Sequence, residues 1–290
     1  MIAASITVNN ADMASLFFFI AMILLGMRHV VKSPIHSFIQ SWAIRISLSL
    51  FLSFLTNYLS PVQRPITALF IINLLIIFLF ESIKLWLMTG MLSKIDLPLF
   101  PRFYTCNESF IWPIGKMFES QREIVKSAGF HEDIMLKVGT SNIVGIYSPV
   151  LYSEDKKIRM QVIFSTAHPS YTFISYILKS CTTSGETIIT SNFQSAMSCF
   201  YPESWSVKKL PMASIEKLLE IHNNRIEGKD LELFENKNSL EELNLEQFQI
   251  ETENCNAGFC ERTEGNKTAI TYYGRYRLWC DMISFSYIGI

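Results

Sequence analysis

The chain has 290 residues, of which 49% are hydrophobic and only 18% are charged, and its formal net charge is −1. Soluble proteins carry about 25% charged residues. This composition therefore excludes a single soluble globule, a disordered chain and a broadly basic nucleic-acid-binding protein. The first hundred residues contain six Lys or Arg and three acidic residues. We therefore predict a membrane anchor followed by a water-facing domain.

The predicted anchor, residues 1–94, contains three apolar runs, at about 13–27, 42–59 and 66–92. A helix needs about 20 apolar residues to cross a bilayer core. The second and third runs meet this length and are joined by a short link, which predicts a helical hairpin. The first run lacks the basic n-region and the cleavage site of a signal peptide, so we interpret it as part of the anchor. Whether it spans the bilayer is left open.

Basic residues flank these runs asymmetrically. The segment 28–45 carries Arg28, Lys32 and Arg45, and the segment from residue 81 onward carries Lys84, Lys94 and Arg102. The positive-inside rule therefore predicts an integral membrane protein whose C-terminal domain is cytoplasmic.

Three charged residues lie close to the apolar runs and raise the question of a transport path. Arg45 lies near one end of the second run, and Glu81 and Lys84 interrupt the third run after its first 15 residues. A buried intramembrane charge often marks such a path. Two or three short spans enclose little space, however, so we predict that Arg45 reaches the headgroup level and that Glu81 pairs with Lys84.

After an extended connector at 95–112, the pattern over 113–228 predicts an α+β domain. Apolar residues recur at helical spacing between Pro113 and Gly129. The period then changes to two over five segments, which predicts an antiparallel β-meander: 134–138, 143–153, 158–164, 171–179 and 187–191. Pro149 predicts a bulge or an edge strand. A second helix is predicted between Ser214 and Gly228, so the fold class is α+β with helices flanking the meander.

The last part of the chain changes character twice. Residues 229–264 are acidic and are predicted to be a linker with a short helix at 240–250, since Ser239 and Glu242 match a capping box. Residues 265–290 are rich in alternating aromatic side chains around Gly274. They predict one or two strands that return to the sheet.

Six cysteines are scattered over the chain, and only Cys255 and Cys260 resemble a pair. The six are Cys106, Cys181, Cys199, Cys255, Cys260 and Cys280. The pair is compatible with a metal site to which Cys280 adds a third ligand, with a disulfide, or with unpaired thiols. A cytoplasmic domain keeps thiols reduced, so unpaired thiols are the preferred interpretation. No cofactor is predicted.

The five histidines do not form a recognisable catalytic set; they are His29, His36, His131, His168 and His222. His222 lies on the apolar stripe of its helix, which predicts a buried structural histidine. The chain also lacks a nucleophile elbow, a phosphate-binding loop, a dinucleotide fingerprint and a zinc-binding H-E-x-x-H motif. The catalytic residues are therefore unknown.

These patterns predict a membrane protein whose cytoplasmic domain is a binding or interaction module. Its expected partners are the lipid bilayer and a basic protein that docks on the acidic segment 230–264. Arg275 and Arg277 lie among aromatic residues, but two charges beside an acidic region do not predict nucleic-acid binding.

Two alternatives stay open. One is a membrane-bound enzyme with an unrecognised pocket that uses Cys181, His131 or His168. The other is an accessory subunit of a larger membrane complex. The glycosylation sequons at Asn107 and Asn266 would not be used in a cytoplasmic domain.

Overall fold

The computed structural model has an α+β fold and describes most of the chain. The described residues are 10–27, 34–59, 64–93, 100, 102–106, 116–138, 147–168, 171–193, 200–211, 213–234, 238–263 and 267–288. In chain order the elements are α1 (Asn10–Met27), α2 (Pro34–Leu59), α3 (Ile66–Leu92), β1 (Phe103–Thr105), α4 (Lys116–Ser127), β2 (Phe130–Val138), β3 (Tyr147–Ser153), β4 (Arg159–His168), β5 (Tyr171–Cys181), β6 (Thr187–Ser191), β7 (Trp205–Lys209), α5 (Ile215–Ile226), α6 (Ser239–Asn256), β8 (Cys260–Thr263), β9 (Lys267–Ile270) and α7 (Tyr272–Tyr287).

The chain divides into two compact units. The first contains residues 1–90 and 282–289, so it holds α1, α2, nearly all of α3 and the last turns of α7. The second contains the remaining residues and includes all nine strands.

Two helices of the first unit are long and apolar enough to cross a membrane. They are Phe38–Leu59 within α2, with a mean hydropathy of 1.5, and Ile66–Leu92, with a mean hydropathy of 2.4. The apolar helix Asn10–Gly26 is shorter. It packs on α2 through aromatic rings, since Phe17 stacks on Phe54 with centroids 5.8 Å apart.

The second unit is built on a seven-stranded sheet whose strands follow the chain order β1 to β7. Neighbouring strands are antiparallel except β6 and β7, which are parallel. The prediction of an antiparallel meander over β2 to β6 is confirmed. β1 and β7 were not predicted, because a three-residue strand in a proline-rich connector and a five-residue strand with two lysines show little apolar alternation.

Pro149 does not mark an edge strand, so that part of the prediction is wrong. It lies inside β3, which pairs with β2 on one side and β4 on the other. On the β4 side, Tyr147 pairs with Phe164 before the proline, and the pairing resumes after it at Val150 with Gln161. The irregularity falls on β2 instead, between Glu132 and Ile134. The sheet therefore tolerates a residue without an N–H where the β3–β4 ladder is interrupted.

Helices cover both faces of the sheet. On one face, α4 and α5 enclose the main core, which contains Val125, Phe130, Leu151, Met160, Val162, Phe164, Tyr176, Leu178, Ile215 and Leu218. On the other face, Leu243 of α6 packs with Phe103, Leu136, Val138 and Val150. Adjacent residues of one strand, such as Val150 and Leu151, therefore contribute to opposite cores, as the two-residue period requires.

The ends of α4 and α5 agree with the sequence signals that the structure describes. Gly129 follows α4 with φ of 79°, a conformation that favours glycine. Pro113, the predicted start of α4, lies outside the described residues. Ser214 is the N-cap of α5, and its side chain accepts a hydrogen bond from the Lys217 N–H.

The acidic segment is not a linker with a short helix. Half of it is α6, which runs for 18 residues and contributes Leu243 to the core on the sheet. Its N-cap is Asn238, whose side chain accepts from the Leu240 N–H. Ser239, the predicted cap, instead donates from its hydroxyl to Asp133 Oδ2 at 2.6 Å.

The C-terminal segment is a helix, so the prediction of strands that return to the sheet is wrong. Within the described residues 267–288, the extended part is Lys267–Ile270, which pairs with β8 in a separate two-stranded sheet. The side chain of Thr271 then accepts from the Gly274 N–H at 3.0 Å, and its carbonyl accepts from the Arg275 N–H at 2.9 Å. Thr271 is therefore the N-cap of α7. The alternation of aromatic residues had indicated a strand in place of this helix.

Gly274 is required by close packing and not by a strand bend. A Cβ placed on it would lie 2.0 Å from the Phe259 carbonyl oxygen and 2.9 Å from Ile270 Cγ2. The first turn of α7 can therefore approach the start of β8 only at a residue without a side chain.

Candidate functional site

The second unit encloses a cluster of four charged residues between the sheet and α6. Arg159 on β4 and Lys179 on β5 are directly opposite each other in the strand register. Both are buried, with 3% and 7% of their surface exposed. Two like charges in this arrangement repel each other, so the sheet needs anions at this place.

Glu246 of α6 supplies one anion for both cations. Arg159 Nη2 lies 2.6 Å from Glu246 Oε2, and Lys179 Nζ lies 2.6 Å from Glu246 Oε1. Glu242, one helical turn earlier, accepts from Arg159 Nη1 at 3.1 Å. The i, i+4 spacing places both carboxylates on the face of α6 that meets the sheet.

The electrostatics of this cluster favour the charged forms. Burial tends to raise the pKa of Glu246, but the charges of Arg159 and Lys179 outweigh it and hold the pKa below its ordinary value. Burial likewise tends to lower the pKa of Arg159, whereas Glu246 and Glu242 raise it above its ordinary value. Glu246 and Arg159 therefore remain ionised, and their ion pair fixes α6 on the sheet.

A second enclosed polar group surrounds His222 of α5. Its side chain is fully buried, as are those of Ser180 and Thr190. The imidazole Nε2 lies 3.1 Å from Ser180 Oγ, and Nδ1 lies 3.0 Å from Thr190 Oγ1. The prediction of a buried structural histidine is confirmed.

The neighbouring groups determine where the protons of this network lie. Ser180 Oγ donates to the Lys157 carbonyl at 2.9 Å, so it accepts from His222 Nε2. Burial lowers the pKa of His222 to about 4, so its Nδ1 carries no proton and accepts from Thr190 Oγ1 at 3.0 Å. The same Thr190 oxygen accepts from Arg225 Nη1 at 2.8 Å. The imidazole is therefore neutral, and Ser180 directs its proton away from it. A histidine that activates a serine needs the opposite arrangement.

The two cysteines that resemble a pair in the sequence are brought together. Cys255 Sγ and Cys260 Sγ are 3.1 Å apart, and both residues are free thiols. Burial, together with the Cys255 thiol, raises the pKa of Cys260. Cys280 lies in α7, where its thiol hydrogen-bonds with Tyr276. Among the described residues, no group of three His, Cys, Asp or Glu side chains could hold a metal ion.

The first unit contains its own ion pair, which corrects the predictions for Arg45 and Glu81. Arg45 is buried, and its Nη2 lies 2.9 Å from Glu81 Oε2. Glu81 also accepts from the Tyr287 hydroxyl at 2.7 Å, and Arg45 donates to the Ser286 carbonyl at 2.9 Å. The charge on α2 is thus neutralised inside the helical unit and does not depend on headgroups.

The residues of the predicted enzyme alternative do not converge where the structure describes them. His131 is exposed on β2, opposite Tyr152 of β3. Cys181 lies at the end of β5, with its sulfur 3.9 Å from Thr187 Oγ1. Three strand spacings separate β2 from β5, about 14 Å. A pocket that uses both side chains is therefore not formed.

Several predicted residues fall outside the described part of the chain. These are His29, Cys199 and the sequon residues Asn107 and Asn266, together with the side chains of His36 and His168.

The charged cluster was not predicted, although the sequence contains signals for it. The alternation over 158–164 places Arg159 and Gln161 on the polar face of β4, and nothing in that pattern shows that α6 covers this face. The signal was the pair Glu242 and Glu246, whose spacing forms an acidic stripe on one helix face. A helix with such a stripe can cover a sheet face that carries cations.

No protein-family model, curated protein or solved structure matches the chain in the comparisons.

Proposed function

We propose that this chain is an integral membrane protein in which α2 and α3 span the bilayer and the α+β unit is a cytoplasmic binding module. The observation that carries the proposal is the distribution of polar residues in the first unit, where polar side chains lie inside and large apolar side chains lie outside. Such a distribution is unfavourable in water and favourable in a lipid bilayer.

The outer surface of α3 supports insertion. Large apolar side chains are exposed along its whole length: Ile71, Ile72, Leu75, Ile76, Phe78, Leu79, Phe80, Ile83, Leu87, Met88, Met91 and Leu92. The helix has 27 residues and is therefore about 40 Å long. This length exceeds the roughly 30 Å of a bilayer core.

The inner contacts of α2 and α3 are those expected between membrane helices. Ser49 and Ser53 are fully buried on α2. Asn73 of α3 donates from Nδ2 to Ser53 Oγ at 3.1 Å. Small and hydrogen-bonding residues are typical of such interfaces, and the Arg45–Glu81 pair satisfies the charges that would otherwise face lipid.

The cytoplasmic orientation rests on the distribution of basic residues. Arg28 and Lys32 follow the first apolar run, and Lys94 and Arg102 follow the third. The positive-inside rule therefore favours an α+β unit in the cytoplasm.

A binding role is supported by two exposed apolar side chains on α6. Leu245 and Phe248 are 58% and 48% exposed and lie three residues apart on one helix face. The guanidinium carbons of Arg102 and Arg262 lie 5.8 Å and 5.4 Å from the centroid of the Phe248 ring. We define this surface, Leu245 and Phe248 with the two arginines, as the α6 patch. An apolar centre with a charged rim is typical of a docking surface for a protein helix or loop.

Membrane insertion can be tested with two matched pairs of aspartate substitutions. Ile76 and Leu79 of α3 are 54% and 59% exposed, so they match Phe248 and Leu245 in exposure and spacing. We expect Ile76→Asp/Leu79→Asp to move the chain out of the carbonate-resistant membrane fraction, because aspartate at the centre of a span opposes insertion by about 3 kcal/mol per residue. Leu245→Asp/Phe248→Asp should stay in that fraction.

A soluble chain would give the opposite result. If the chain is soluble and the outer surface of α3 faces water, the two double variants will behave alike and the parent chain will be extracted by carbonate.

Docking on the α6 patch can be tested by photocrosslinking in native membranes. A photoreactive side chain at position 245 should give one discrete protein adduct, and Phe248→Asp should reduce it. The same probe at position 220, an exposed glutamate of α5, is the control and should give none. Equal adduct patterns from both positions would remove the support for a binding site on α6.

A further inference from the structure

The close thiols of Cys255 and Cys260 lie at a turn that the backbone fixes. Cys255 is in the last turn of α6, and Cys260 is the first residue of β8. The chain reverses at Gly258, which has φ of 76°. The position of one sulfur relative to the other therefore depends on the geometry of this helix end.

The turn has the hydrogen bonds of a Schellman motif. The Gly258 N–H donates to the Cys255 carbonyl at 3.0 Å, and the Phe259 N–H donates to the Asn254 carbonyl at 2.9 Å. These are the two bonds that close a helix of this type. Phe259 is fully buried after the turn and packs against Phe100. The two backbone hydrogen bonds and the buried Phe259 ring thus fix the turn, and the two thiols have little freedom to separate.

We propose that Cys255 and Cys260 form a reversible dithiol–disulfide pair that exchanges with small-molecule disulfides. Their sulfurs are about 1 Å farther apart than the S–S bond length of about 2.05 Å. Small side-chain rotations therefore close the bond. This inference is independent of the proposed membrane anchoring and of the α6 patch.

The chemistry is thiol–disulfide exchange with a disulfide such as oxidised glutathione as the oxidant. The Cys255 thiolate attacks one sulfur of the oxidant, which forms a mixed disulfide and releases one thiolate. The Cys260 thiolate then attacks Cys255 Sγ and releases the second. Two protein thiols are oxidised by two electrons, and one oxidant disulfide is reduced to two thiols.

The two cysteines have different accessibility, which assigns the order of these steps. Cys260 is 2% exposed, whereas Cys255 is partly exposed. The oxidant therefore reaches Cys255 first, and Cys260 is the resolving thiol. Burial raises the pKa of Cys260, so the resolving step is expected to be the slower one.

The test uses the full chain, reduced and then equilibrated with a series of reduced to oxidised glutathione ratios. Maleimide mass-tagging after acid quenching counts the remaining thiols, and peptide mass spectrometry locates the bonds. We expect Cys255 and Cys260 to lose reactivity together with one midpoint, and a peptide that joins them. Cys106→Ser is the matched control and should leave this two-thiol step unchanged.

Two variants separate the roles of the thiols. Cys260→Ser should stop at a glutathione adduct on Cys255, which the parent chain does not accumulate at equilibrium. Cys255→Ser should leave Cys260 reduced across the series. Independent loss of the two thiols in the parent chain, or a stable glutathione adduct on its Cys255, would overturn the proposal. The parent titration decides the question even if a variant fails to fold.

Discussion

Replacing Glu246 with glutamine is expected to destabilise the α+β unit by about 3–5 kcal/mol, the cost of removing one partner from a buried ion pair. Arg159 and Lys179 are opposite each other in the sheet and share this carboxylate. Without it, Lys179 loses the anion 2.6 Å away, and Glu242 is the carboxylate that remains for Arg159 among the described residues. Denaturation of the full chain in detergent, followed by hydrogen exchange in β4 and β5, measures the change.

An exposed ion pair of the same unit provides the matched control. Lys217 Nζ lies 2.7 Å from Glu220 Oε1, with 54% and 57% of the side chains exposed. Pairs of this kind contribute about 0–1 kcal/mol. Glu220→Gln should therefore change the free energy of unfolding by less than about 0.5 kcal/mol. Equal losses from Glu246→Gln and Glu220→Gln would contradict the buried cluster.

A double-mutant cycle tests the repulsion between the two cations. If Glu246 chiefly neutralises the opposed charges, Lys179→Met should relieve part of the loss caused by Glu246→Gln. The change in the free energy of unfolding caused by both substitutions together would then differ from the sum of the two single changes. The difference would exceed about 0.5 kcal/mol, the limit for independent sites. Additive losses would show that the carboxylate acts on Arg159 alone.

The elements with a regular period were predictable from the sequence, and the contacts between them were not. The alternation of Met160, Val162 and Phe164 locates β4 correctly, because a strand with one face in a core repeats every two residues. The same alternation places Arg159 on the opposite face but does not reveal that α6 covers it. Arg159 and Glu246 are 87 residues apart, so only the fold brings them together.

The C-terminal helix shows how a local pattern can mislead. Aromatic residues alternate from Tyr272 onward and match a strand, but Thr271 caps a helix and Gly274 permits close approach to Phe259. A cap is a local signal that a sequence analysis can find. The close packing of Gly274 against the Phe259 carbonyl is a tertiary contact, and the spacing of residues in the sequence does not indicate it.

The same limit applies to the first unit. Three apolar runs predict its helices, whereas the Arg45–Glu81 pair joins positions 36 residues apart and depends on how α2 and α3 are rotated. An arginine near the end of a run is equally compatible with a headgroup contact. The sequence alone therefore could not assign its partner.

The buried histidine gives a pH dependence whose sign can be stated. Burial, with a smaller contribution from the Arg225 charge, lowers the pKa of His222 from 6.5 to about 4. Between these values the unfolded chain binds a proton that the folded chain does not. The free energy of unfolding is therefore expected to fall as the pH decreases from about 6.5 to about 4, by about 3 kcal/mol in total.

A non-titrating variant separates this contribution from that of the carboxylates. His222→Gln should flatten the fall between pH 6.5 and 5, above the range in which most carboxyl groups titrate. Its stability at pH 7.5 will also be lower, because Ser180 and Thr190 lose well-placed partners, so the slopes are compared and not the absolute values. His131→Gln, at an exposed position of β2, is the control for replacing a histidine outside this network.

The pH dependence also tests the proton assignment at Ser180. A neutral imidazole that donates from Nε2 gains nothing from a second proton, because Nδ1 already accepts from Thr190 Oγ1. Protonation must break that bond and place a charge beside Arg225, whose guanidinium lies 2.8 Å from the same Thr190 oxygen. A parental slope in His222→Gln, or a free energy of unfolding that rises as the pH falls, would mean that the imidazole is not held in this form.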